Sequence, residues 1–145
     1  MRFGGVELKL SLVAYTKDIE RMIAAAILTT CTNRTAAQLY DKLEGETERV
    51  ERLVSGIPLT HGSVLEHNRI VWLAEATSQE ILELILKYRF FEATQLREGL
   101  WLLSANLRTI VEYIENEKQG RLRQQLLDTL EKIAPILWRR LTHGN

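Results

Sequence analysis

At 145 residues with 46% hydrophobic side chains, the chain is long enough for one self-supporting domain and too apolar to be disordered. Its 19 basic and 19 acidic residues cancel, so no overall field draws in nucleic acid or an anionic lipid surface, and neither is expected as a partner. A single cysteine, Cys31, cannot close an internal disulfide and fits a reducing cytoplasm. The alternating start of the chain is not that of a signal peptide, and no apolar run is long enough to span a membrane.

Val6 to Leu12 alternates strictly and reads as a half-buried strand. Thr16 is placed to cap a helix whose Ile19, Met22, Ile23, Ala26 and Ile27 share one face. Thr35 with Gln38 forms a capping box for a short helix with Leu39 and Leu43 inward. A further helix covers about 46–55, terminated by Gly56 and kept from restarting by Pro58. The second strand covers roughly 69–76. Thr77 with Glu80 then opens a helix to about Tyr88, with Glu83 and Lys87 as an i,i+4 pair. Residues 90–103 are aromatic and apolar, and read as strand with a bend at Gly99. Ser104 caps a helix carrying Leu107, Ile110, Val111 and Ile114, which Gly120 breaks. A last helix carries Leu122, Leu126, Leu130, Ile133 and Leu137. Within it Pro135, lacking an amide proton, should force a kink or a restart. These elements predict one α+β domain over 1–145, a small, mostly antiparallel sheet packed with helices.

The densest polar cluster is His61-Gly62-Ser63-Val64-Leu65-Glu66-His67, two imidazoles, a carboxylate and a hydroxyl just ahead of an apolar strand. Zinc accepts His and Glu ligands, but no further ligand is evident and no metal is expected. Ser63 and Glu66 can instead organise the turn, Glu66 by accepting backbone N–H groups. Lys87 and Arg89 close a helix, where cations complement the dipole. Asn106 and Arg108 fall in the first turn of a helix; Asn is a poor helix former, which hints at a use for its amide, while Arg108 can simply pair with Glu112. Phe90, Phe91 and Trp101 lack a basic surround and read as core or subunit interface.

The pattern His61-x-Ser63-x-Leu65-Glu66-His67, a strand, Glu75-x-x-Ser78 and a helix ending Lys87-Tyr88-Arg89 resembles the flavin-dependent thymidylate synthases. Asn106-Leu107-Arg108 is similar to the later Asn-x-Arg motif of that family, and the likeness extends over most of the chain. The resemblance implies a homotetramer with FAD between subunits, and transfer of a methylene from methylenetetrahydrofolate to dUMP with NADPH as reductant. It implies flavin contacts from His61, Ser63, Glu66, Lys87, Tyr88, Arg89, Asn106 and Arg108. Among these, Arg89 would pair with pyrophosphate and Tyr88 would lie on or beside the isoalloxazine ring. Gln95 and Arg97 would face the substrate. The chain also departs from the family signature. Lys87-Tyr88 replaces Arg-His, Glu92 stands for the first serine, and Arg97 and Gly99 for the second serine and final arginine. Several dozen residues before Asn106 are missing, and Glu117 falls near a phosphate-binding arginine. The alternative expectation is therefore a non-catalytic paralogue that binds or assembles without methylating dUMP.

Overall fold

The computed structural model describes residues 8–59 and 62–143. Among them the chain forms a small α+β fold of one four-stranded antiparallel sheet and seven α-helices. Strand β1 (Lys9–Tyr15) leads into α1 (Ile19–Thr29), α2 (Ala36–Lys42) and α3 (Thr47–Gly56). A short 3-10 turn, Gly62–Leu65, precedes β2 (Ile70–Glu75) and α4 (Ser78–Lys87). The hairpin β3 (Glu92–Arg97) and β4 (Leu100–Ala105) follows, then α5 (Leu107–Asn116), α6 (Arg121–Ile133) and α7 (Pro135–Thr142). The strand order is β1-β2-β4-β3.

The first strand lies later than the alternation predicts. It runs on to Tyr15 through an irregularity between Leu12 and Ala14, while Val6 and Glu7 lie outside the described residues. Thr16 does not cap α1. Its hydroxyl accepts from the Arg69 amide at 2.8 Å, tying the end of β1 to the start of β2. Asp18 takes the cap position in a left-handed conformation (φ 49°) without a side-chain cap bond, and pairs with Arg21 instead. Both capping boxes form as expected, at Thr35/Gln38 and Thr77/Glu80. Residues 90–103 hold two strands rather than one, with Gly99 at φ 79° in the turn between them. Ser104 sits inside β4, and Asn106 is the residue that caps α5, its side chain accepting from the Thr109 amide at 3.0 Å. Pro135 restarts the chain as the first residue of α7.

The core lies between the sheet and the helices. Trp72 on β2, opposite Leu12 and Leu103, is wholly buried, and its indole N–H donates to the Thr129 hydroxyl of α6 at 3.1 Å. The Gln125 side chain, one turn earlier, accepts from the Leu10 amide (2.7 Å) and donates to the Leu8 carbonyl (3.0 Å). Helix α6 thus satisfies backbone groups of the edge strand β1.

Glu20 on α1 makes a second long-range tie. Although 8% exposed, its carboxylate accepts from the Ile136 and Leu137 amides at 2.9 and 3.1 Å, capping α7 across more than a hundred residues. Burial outweighs these bonds and pushes its pKa up to about 7. A carboxyl whose pKa is higher in the folded state stabilises the fold fully below its unfolded pKa, and that contribution is lost as pH rises through the folded value. Urea unfolding between pH 5 and 8 should therefore show wild-type stability falling relative to Glu20→Gln, by on the order of 2–3 kcal/mol. Glu20→Ala, which leaves two amides without an acceptor, should be less stable than Glu20→Gln throughout.

Candidate functional site

The two motif stretches, about 40 residues apart in the chain, meet at the N-terminal end of α5. The turn after Leu65 brings Asn68 beneath α5. There the Asn68 side-chain oxygen accepts from the Leu107 amide at 2.7 Å, and its amide group donates to the Leu65 carbonyl at 2.9 Å. Glu66 takes the Arg108 guanidinium at 2.8 Å, so Arg108 pairs across the motifs rather than with Glu112. The pair is half-exposed (50% for Arg108, 42% for Glu66), which leaves the remaining guanidinium donors open to solvent. Gly62 lies directly under the stem of Arg108. A Cβ there would fall 2.7 Å from Cδ and 2.9 Å from Cγ, so only glycine admits this pose. Ser63 and His67 are exposed beside it, and His61 lies outside the described residues.

Lys87, Tyr88 and Arg89 come together at the opposite end of α5, which at ten residues sets the two clusters about 15 Å apart along its axis. Tyr88 is a core residue, 5% exposed, packed on Tyr113 (ring centroids 4.9 Å) and edge-on to Phe91. Within one chain its ring offers no open face to a flavin, because two aromatic neighbours already cover it. Its hydroxyl donates to Glu117, and Lys87 binds the same carboxylate at 2.6 Å. The i,i+4 pair expected between Glu83 and Lys87 is not made. Lys87 reaches the deeper Glu117, and Glu83 accepts from Gln79 instead. The Lys87 and Tyr88 bonds hold Glu117 below the usual carboxylate range. Burial, then the bond to Glu117, raises the Tyr88 phenol, and burial pushes Tyr113 up to about 12. These groups line a surface cleft of about 510 Å³, closed on its apolar side by Leu84 and Leu122. Arg89 is exposed over the Phe90 ring and has no carboxylate partner among the described residues.

Gln95 and Arg97 lie on the exposed edge strand β3, apart from both clusters in sequence register, opposite Trp101 and Leu100. Glu92 at the start of that strand is neutralised by an ion pair with Arg69. Sequence reasoning missed Asn68, the residue that joins the two motifs. Its position directly after Glu66-His67 and before a strand was the one available signal. It also missed the partner of Glu117, a contact 29 residues distant in the chain. No model of a known protein family matches the chain, and no curated protein matches it.

The Tyr88–Glu117 bond joins a phenol to a charged acceptor at the edge of the core, so Tyr88→Phe should destabilise the fold by about 1.5–3 kcal/mol. Lys87→Met removes an exposed pair to the same carboxylate and should lower stability by under about 1 kcal/mol. Denaturant unfolding of the two variants checks the order; a larger loss for Lys87→Met than for Tyr88→Phe would show that Lys87, not Tyr88, holds Glu117.

Proposed function

We propose that this protein is a shortened relative of the flavin-dependent thymidylate synthases that binds FAD as a homo-oligomer, with four copies as the family arrangement, and does not itself convert dUMP to dTMP. The observation that carries the reading is the junction of Gly62, Glu66 and Asn68 with Leu107 and Arg108, because it unites the two stretches on which the resemblance rests. The donor set suits a dinucleotide. Arg108 is oriented by Glu66 and half-exposed, and Arg89 is a solvent-exposed fork with no carboxylate partner among the described residues. Ser63 adds an exposed hydroxyl beside Arg108, and Lys87 and Tyr88 contribute by fixing the end of α4 through Glu117. FAD bound here would supply hydride chemistry; the chain's own part is to hold and orient it.

The loss of dTMP synthesis follows from electrostatics. At the places where the resembling family grips the substrate phosphate, this chain has Gly99 and Glu117, and Glu117 is held ionised. A carboxylate there opposes a phosphate. The exposed Arg97 favours the other reading, an active synthase that takes dUMP and methylenetetrahydrofolate, since it is the one cation of β3.

Purified protein should retain or take up FAD, seen as flavin absorbance and as quenching on titration. Arg108→Ala and Arg89→Ala should each weaken affinity by about tenfold or more. Gly62→Ala should do so as well, by displacing the Arg108 stem while leaving its charge in place. Absence of FAD binding at ~100 µM would reject the reading. An assay with dUMP, methylenetetrahydrofolate, NADPH and FAD should give no dTMP above background; robust turnover that Arg97→Ala abolishes would establish the active alternative.

A further inference from the structure

The chain as a whole is neutral, yet one of its clefts is not. A cavity of about 540 Å³ opens between α1, the loop joining α2 to α3, α3 itself and the start of α7. Five carboxylates line it against two arginines. Both arginines are already engaged. Arg21 pairs with Asp18 at 3.2 Å, lies over the Tyr40 ring and donates to the Tyr40 carbonyl. Arg139 pairs with Glu51 at 2.8 Å. Glu46 makes only a long contact with Arg49, at 3.9 Å. Glu20 and Glu44 have no cation within ion-pair distance among the described residues.

Glu20 sets this cavity apart from a solvated acidic surface. It is 8% exposed, and its Oε2 accepts both the Ile136 and Leu137 amides, while Oε1 has no donor among the described residues. A buried carboxylate is ordinarily matched by a cation or a metal. Here it lines a space large enough for a ligand instead. Between the charged groups the walls are aliphatic, from Leu43, Val50, Ile133 and Ile136. No three His, Cys, Asp or Glu side chains among the described residues are grouped as metal ligands. The carboxylates are therefore spread for an extended cation rather than gathered round an ion.

We propose that this cleft binds a linear aliphatic polyamine, with ammonium groups on Glu20 and Glu44 and the methylene chain along the aliphatic wall. A cleft lined by one sign of charge concentrates the opposite one, and alkyl stems pack on apolar walls while their charged ends stay on polar groups. Burial places the Glu20 pKa at about 7, so the carboxylate form that attracts an ammonium prevails above that value. The other charged groups facing it are Asp18 and Arg21 on α1, Glu44 and Glu46 on the loop, Glu51 on α3 and Arg139 on α7, and none is a histidine. An alkylammonium titrates near about 10, so a pH effect between 6 and 8 belongs to the protein. The inference is independent of flavin.

Calorimetric titration of the full chain with spermidine tests it. One site should fill, and affinity should rise about tenfold from pH 6 to pH 8. Glu20→Gln keeps an acceptor for the α7 amides; it should weaken binding about tenfold at pH 8 and remove the pH dependence. Glu44→Gln, in the exposed loop, should weaken binding by a similar factor and keep the pH dependence, an arm that holds even if Glu20→Gln does not fold. Glu98→Gln, in the turn of the β3–β4 hairpin, should change nothing. Absence of binding at ~1 mM spermidine, equal losses with Glu98→Gln, or indifference to both Glu20→Gln and Glu44→Gln would overturn the inference. So would binding of an oligolysine peptide without binding of spermidine, which would put a protein partner in place of the small cation.

Discussion

The buried indole of Trp72 sets the terms on which the sheet and the helices can coexist. A side chain of that size fills the space between layers, but its N–H must find an acceptor in a place without water. Thr129 supplies it, and in turn donates to the Gln125 carbonyl of its own helix at 3.1 Å. Because Thr129 and Gln125 are one turn apart, the position that serves Trp72 also aims the Gln125 amide at β1. Rotation of α6 about its axis is thereby fixed at two points on two strands. The apolar face of α6, with Leu126, Leu130 and Ile133, follows from that rotation.

Helix α5 transmits this order to the motif residues. Its first turn is held by the Asn106 cap and by Asn68, so the loop before β2 cannot move independently of it. Its far end presents Glu117 to Lys87 and Tyr88. Ile110 and Ile114 between them are buried, which makes α5 a rigid spacer between two polar clusters. A charged pair at one end and a phenol–carboxylate pair at the other are both kept by packing that neither cluster provides. The half-exposed Glu66–Arg108 pair contributes little to stability by itself; its value is orientation.

What could be read along the chain was what is local. The capping boxes at Thr35 and Thr77 and the restart at Pro135 depend on neighbours within four residues, and each stands where the residues put it; the break expected at Gly120 comes earlier, since α5 ends at Asn116 and Gly120 instead precedes α6. The α+β class followed from strand-like and helix-like periods in one short chain. The misplacements have one cause, competition from distant partners. Thr16 could cap α1, but the Arg69 amide claims its hydroxyl. Lys87 could pair with Glu83, but Glu117 is nearer to the core and is already fixed by Tyr88. Arg108 could reach Glu112, but Glu66 is presented to it by Asn68. At the candidate site the residue types were legible and their partners were not, since partner choice is settled by how the helices pack.

The Gln125 side chain that binds Leu8 and Leu10 has an effect at the rim of the sheet. A side-chain amide carries the same donor and acceptor as a peptide group, so Gln125 stands where another strand would otherwise pair with β1. At the far rim β3 carries Glu92 and Arg97 and loses regular register after Gln95. Both margins are therefore poor templates for lateral growth. Edge-to-edge addition of further strands, the route that builds fibrils, is thus opposed on one side by a side-chain amide already seated on the backbone and on the other by charge and broken register.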